Sequence, residues 1–197
     1  MKFTGERVVP DDMHSRPDVY SEHLVRYAIA LKYCSMNNVL DISCGTGYGT
    51  NLLGSVSNSI AGGDNDLSAP EYARKKYGLK NLRQIDIEKQ TIDQVFNQKF
   101  HIIVSFETIE HIENPDFFLK NVKKSLLPNG LFMFSIPVKN DSEYHKQWYE
   151  YGPALKFGNN IFKPITTLVQ RIDAIIPSSI VVGDFNKHGT YIIKVMT

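Results

Sequence analysis

Apolar residues along the chain gather in short runs, and the segments between the runs carry helical spacing. Val39 to Ile42, Ile60 to Asp64, Asn81 to Glu88, Phe100 to Phe106 and Leu131 to Pro137 read as strands, with Phe100 to Phe106 the most apolar. Tyr48 to Leu53, Ala69 to Tyr77 and Asp116 to Leu127 read as the helices between them. The last is amphipathic through Phe117, Phe118, Val122, Leu126 and Leu127. Upstream, Ser21 offers a cap for a helix reaching Tyr33, preceded by an irregular arm from Met1 to Asp18 that holds Pro10 and Pro17. Strands alternating with helices call for an α/β, doubly wound parallel sheet. Beyond Val138 the pattern predicts a helix from Ile165 to Ile175, then an antiparallel hairpin of Ser179 to Gly183 and Thr190 to Met196.

The expectation is therefore one domain over 1–197, with an arm and helix in 1–35, a core in 36–137 and an irregular segment plus hairpin in 138–197. Hydrophobic residues at 42%, charged residues at 22% and a formal net charge of +1 fit a globular chain without the basic field that nucleic acid attracts. No apolar run approaches a membrane span and Met1 to Arg7 lacks a signal-peptide core, so the default expectation is cytoplasmic. Cys34 and Cys44 lack metal-ligand spacing and read as reduced thiols.

Candidate chemistry begins where the first strand ends, in Val39-Leu-Asp41-Ile-Ser43-Cys-Gly45-Thr-Gly47-Tyr48-Gly49-Thr50. Three glycines in five positions mark a loop that brings backbone close to a ligand. The spacing is G-x-G-x-G, which is neither the dinucleotide fingerprint nor a P-loop. Asp41 ahead of the loop suits a ligand with a positive end, since a bare glycine loop and helix N-terminus otherwise attract anions. Three further strand ends carry acids. Asp64 follows Asp41 at the spacing where nucleotide folds place a carboxylate on ribose hydroxyls, with Asn65 next to it and Asp66 as competitor. Asp86 with Ile87 ends the third strand, and Ser105, Glu107, Glu110 and His111 lie at or just beyond the end of the fourth.

Together these segments resemble the motifs of the class I S-adenosylmethionine-dependent methyltransferases, in their small type 11-like form. The resemblance covers about 20–137 and includes the Glu110-His111 pair ahead of Asn114-Pro115. It implies a Rossmann-like methyltransferase sheet of order 3-2-1-4-5-7-6 with strand 7 antiparallel, and S-adenosyl-L-methionine as cofactor. It also implies cofactor-binding roles for Asp41, Ser43, Gly45, Gly47, Tyr48, Asp64, Asn65, Asp86, Ile87, Ser105, Glu107 and His111. Where the family usually has Pro-Gly-Gly, this chain has Pro128-Asn129-Gly130, and Asn tolerates the same left-handed angles.

Thr4-Gly-Glu-Arg7, Glu22-His23-x-x-Arg26-Tyr27 and Tyr144-His145 look like a narrower group found with sugar and polysaccharide biosynthesis. That implies O-methylation of a sugar or sugar nucleotide, with 138–197 holding the acceptor segment. N-methylation of an amine and a non-catalytic S-adenosylmethionine-binding or partner subunit are the alternatives. His145 and His111 are the candidate catalytic bases, His145 preferred, with Tyr144, Trp148 and Tyr149 as acceptor wall. Glu107, Glu110, His111 and Glu113 point in several directions on a helix start, so no metal is expected. Expected partners are the small-molecule acceptor and a second copy of the chain, with no nucleic acid and no membrane.

Overall fold

Five parallel strands, β1 (Asn38–Ile42), β2 (Ser59–Asp64), β3 (Leu82–Gln84), β4 (Phe100–Ser105) and β5 (Leu126–Pro137), lie where the apolar runs predict them. The computed structural model describes residues 7–15, 17–138, 143–147, 149–171, 179–182 and 189–197. Three more strands, β6 (Pro164–Arg171), β7 (Ser179–Val182) and β8 (Gly189–Met196), complete an eight-stranded sheet of order β3-β2-β1-β4-β5-β8-β6-β7. This is the expected order 3-2-1-4-5-7-6, with β8 in the seventh-strand place and β7 added at the edge. β8 runs antiparallel to both neighbours, as expected of that strand.

Two expectations for the C-terminal part fail. Pro164–Arg171 is a strand where a helix was expected, because Ile165, Thr166, Thr167 and Val169 are β-branched and the segment pairs with β8 from Thr166↔Val195 onward. Residues 172–175 lie outside the described ones. The terminal hairpin is not formed either, since β6 lies between β7 and β8 and takes hydrogen bonds from both. Short-range alternation identified the two strands but not their partners.

The helices are α1 (Pro17–Cys34), α2 (Tyr48–Gly54), α3 (Ser68–Tyr77), α4 (Ile92–Phe96), α5 (Pro115–Ser125) and α6 (Tyr151–Lys156). Helix α4 was not expected, although Thr91 and Gln94 form a capping box around its start. Asn114 caps α5 by accepting from the Phe117 N–H at 3.1 Å. Asn129 has φ +62°, the left-handed angle its position calls for, and the β4–β5 register shifts between Phe100 and Ile102 to accommodate the turn inside β5.

Period-two alternation sorts the core into two layers. Leu40, Ile42, Ile103, Phe132 and Phe134 face one side, where Phe118 and Val122 of α5 pack on them. Val39, Ile102, Val104, Met133 and Ile193 face the other, against Tyr27, Ala30 and Cys34 of α1. Asp41 shares its face with Val39. It therefore points at α1, which governs what that carboxylate does. No helix among the described residues is long and apolar enough to cross a membrane.

Candidate active site

The carboxyl ends of β1, β2 and β4 open onto one cavity of about 400 Å3. Its position follows from the fold, since α/β sheets bind ligands outside the strand ends where the order reverses, here between β1 and β4. Ser43, Gly45 and Tyr48 of the glycine loop form one wall, Asp64 the next, and Phe106, Glu107 and His111 the third. The loop is held in shape by left-handed residues, with φ +62° at Ser43, +52° at Gly45 and +77° at Gly47. Gly47 faces away from the cavity and is small for packing reasons, because a Cβ there would come within 2.5 Å of Ala73 Cβ. Gly49 is excluded from any larger size by the Tyr27 ring, which a Cβ would meet at 2.0 Å.

Asp64 accepts a hydrogen bond from the Gly45 N–H at 2.7 Å and from the Asp66 N–H at 3.0 Å, so it shapes the loop as well as facing the cavity. Arg7 bridges Asp64 at 3.5 Å and Asp66. The Arg7 hydrogen bond, with help from Ser68, holds the Asp66 carboxyl down at about 2. The arm carrying Arg7 is tied on both sides. Thr46 donates to the Val8 carbonyl at 2.8 Å, and Asp11 accepts from Tyr72 at 2.7 Å and pairs with Lys76.

Asp41 is not on the cavity wall, which corrects the expectation that it meets a ligand's positive end. It is fully buried, accepting a hydrogen bond from Thr50 at 2.6 Å and longer ones from the Tyr27 hydroxyl at 3.3 and 3.4 Å. Burial among neutral partners pushes its pKa up to about 7. It braces the loop from beneath.

On the β4 side the floor is built differently. Glu107, strained at φ +52°, donates its N–H to Ser135 Oγ at 3.0 Å, and its Oε1 accepts from that hydroxyl at 2.9 Å. Arg26 of α1 is fully buried, 3.5 Å from the same carboxylate, and donates to Gln170 Oε1 at 2.6 Å. The Tyr191 ring lies 4.3 Å from the guanidinium carbon. Burial is the largest influence and works against the Arg26 charge, but Glu107, Tyr191, Tyr48 and Glu22 together raise the pKa. Burial likewise opposes the Glu107 charge most strongly, and Arg26, His23 and hydrogen bonds from Ser135 and Tyr191 together bring its pKa below the ordinary value. His23 lines the cavity with Nδ1 2.8 Å from the Tyr48 hydroxyl. Burial first, then Arg26, drives its pKa down to about 3, so it is neutral at pH 7.

At the mouth stand His111 and Tyr144. The His111 ring lies 5.1 Å from that of His145, and its Nδ1 is 3.0 Å from the Tyr144 carbonyl. His145 is thus brought beside the cavity, though it does not line it. Tyr149 is not acceptor wall. It packs into the core against Phe157, with ring centroids 5.5 Å apart, because Tyr151 starts α6 and turns the chain inward. Trp148 lies outside the described residues.

The other motif residues lie off the enclosed cavity. Asn65 is exposed, Asp86 is turned to Lys89 at 2.8 Å, Ile87 packs in the core, and Ser105 is fully buried. The motifs did not mark Arg7 or His23 as cavity residues, nor Arg26 as the buried partner of Glu107. The His23-x-x-Arg26-Tyr27 spacing puts all three on one face of α1, a signal visible in the sequence but without a stated target.

Residues 14–172 match a family model described as a methyltransferase domain. The chain belongs to that methyltransferase family. A probable S-adenosylmethionine-dependent methyltransferase of Mycobacterium tuberculosis is 27% identical over 137 residues, covering 70% of this chain and 48% of the relative. A ubiquinone biosynthesis O-methyltransferase of Chelativorans is 30% identical over 116 residues, covering 58% of this chain and 46% of the relative. The chain thus spans about half the length of these curated relatives. Among solved structures, an S-adenosylmethionine-dependent methyltransferase from Clostridium acetobutylicum superposes with a TM-score of 0.69 at 17% identity, covering 94% of both chains. The N-methyltransferase NodS from Bradyrhizobium japonicum, in complex with S-adenosyl-L-homocysteine, gives 0.72 at 16% identity, covering 98% of this chain and 94% of NodS. The family's methyl donor is S-adenosylmethionine, and the Asp64 carboxylate on the cavity wall beside the glycine loop fits that group.

Proposed function

We propose that this methyltransferase transfers the methyl group of S-adenosylmethionine to a hydroxyl of a small molecule, with a sugar or sugar nucleotide as the first acceptor class to test. The observation that carries this reading is the histidine pair, His111 and His145, at the mouth of the same cavity whose inner walls are the glycine loop and Asp64. Asp64 would accept from the ribose hydroxyls, exchanging its Arg7 contact for them. The methionine end would lie along Ser43 to Gly45, and the adenine would run toward the Asp86–Ile87 edge. The sulfonium methyl then faces Phe106, Glu107 and His111.

The sulfonium is an activated donor, so the chain's task is alignment and activation of the acceptor oxygen. A sugar hydroxyl is a weak nucleophile and needs its proton drawn off, which is what imidazoles at this position supply. The Mycobacterium relative, whose printed name specifies the donor, and the Chelativorans relative, which specifies oxygen as the methylated atom, support the reading. In a radiolabelled methyl-transfer assay over a panel of sugar nucleotides and phenols, His145→Ala should lower turnover at least about a hundredfold, the low end for loss of a general base. S-adenosylhomocysteine affinity should change less than about twofold. Unaltered turnover in that variant would contradict the assignment.

A further inference from the structure

We propose that Glu110, His111 and His145 form a divalent-cation site at the cavity mouth, through which the two histidines act on the acceptor. This rests on the O-methylation reading and deepens it: the imidazoles activate the acceptor oxygen through the cation they hold, in place of taking its proton themselves. One carboxylate oxygen and one nitrogen from each ring lie within 4.8 Å of one another. Donors bound to one tetrahedral ion at about 2.0–2.2 Å are roughly 3.4 Å apart, so small side-chain rotations close the set. The sequence argued against a metal because Glu107, Glu110, His111 and Glu113 were expected to point in several directions; the fold instead turns Glu110 and His111 toward His145, 34 residues on from His111.

The site is built. The Glu110 carbonyl accepts from the N–H groups of both Lys146 and Gln147, at 2.8 and 2.9 Å, which pins the strand of chain carrying His145 against the turn carrying Glu110. Gln147 adds a bond from its amide to the Ile112 carbonyl at 3.2 Å. With the Tyr144 carbonyl 3.0 Å from Nδ1 of His111, that ring is oriented with Nε2 as the ligating atom, the arrangement in which an outer partner fixes the tautomer of a metal-bound histidine. Glu110 is 1% exposed, which anchors the carboxylate on the protein side, while His111 reaches the cavity wall.

Two imidazoles and one carboxylate suit zinc, cobalt or another first-row ion better than magnesium or calcium, which prefer all-oxygen sets. A cation here would bind the acceptor oxygen and lower the hydroxyl pKa. The proton leaves to water, the oxygen lone pair forms the new O–CH3 bond, and the S–CH3 bond pair stays on sulfur as the neutral thioether.

The test uses the full-length chain, free of any affinity tag and stripped of metal by chelation, titrated with Co2+ while its visible absorption band is followed. The proposal expects one equivalent to bind, and His145→Ala and Glu110→Gln each to weaken it at least tenfold, the low end for loss of even an outer-shell partner. S-adenosylhomocysteine binding, measured in parallel by calorimetry on the metal-free variants, should persist and shows that they are folded. No band, or equal Co2+ affinity in both folded variants, overturns the cation site. Because neither readout uses methyl transfer, a failed acceptor panel leaves this result standing, and turnover undiminished by chelation overturns the cation while leaving O-methylation intact.

Discussion

Two acids, Asp41 buried and Glu107 half-buried, support the same cavity, and they have opposite fates. Asp41, beneath the glycine loop, has only hydroxyl donors for partners, and burial lifts its pKa to about 7. Glu107, at the end of β4, keeps 20% of its side chain open to the cavity and has Arg26 within 3.5 Å, and its pKa falls. Both are desolvated acids. What differs is whether a full positive charge comes with the burial. The loop side of the floor thus approaches neutrality, where a ligand is to be cradled by backbone. The β4 side is a committed ion pair that also holds α1, β5, β6 and β8 together through Ser135, Gln170 and Tyr191.

The strongest way to break this contrast is to remove the cation. Arg26→Met keeps length and apolar volume but leaves Glu107 with only hydroxyl donors, as Asp41 already is. Breaking a buried pair from one side costs about 3–5 kcal/mol, and the cavity exposure of Glu107 places the expected loss near the lower figure. Denaturant unfolding would measure it. A loss under about 1 kcal/mol would mean that the pair is not what ties α1 to the sheet.

A smaller effect, separated by its pH dependence, is expected at Asp41. Its folded pKa lies above the ordinary carboxylate value of 3.8, so the folded chain holds that proton more tightly than the unfolded one. Its contribution is complete below about pH 4 and is lost as pH climbs through about 7. Asp41→Asn removes this titration. The stability of the variant relative to the natural chain should therefore rise by roughly 2–4 kcal/mol between pH 4 and 8, read from urea unfolding at each pH. A difference that stays flat with pH would show that Asp41 is ionised in the folded state throughout.

The same contrast explains how much could be read in advance. The loop side was legible because its signals are local. Gly45 and Gly47 lie in the loop after β1 and Asp64 at the end of the adjacent β2, and left-handed turns leave glycine in the sequence. Even there, the direction of Asp41 depended on which face of β1 it takes, and only the alternation with Val39 against α1 settles that it meets Tyr27 and not the ligand. The β4 side was legible only in part, because its contacts join distant segments. Arg26 meets Gln170 across 144 positions, and Glu110 is bonded by the backbone of Lys146 and Gln147. Strand β6 was read as a helix and β8 as half of a hairpin for the same reason. Which strand a β-rich segment joins is decided by pairing, and no residue within Pro164–Arg171 records that its neighbours are β8 and β7.

If the cavity between the glycine loop, Asp64 and Glu107 holds the methyl donor, calorimetric titration of S-adenosylhomocysteine into the natural chain and into Asp64→Ala will register it. The natural chain should show one binding site and the variant at least about tenfold weaker affinity, roughly 1.4 kcal/mol, from loss of the ribose contact and of the bond to the Gly45 N–H. No binding to the natural chain, or equal affinity in the two proteins, would contradict it.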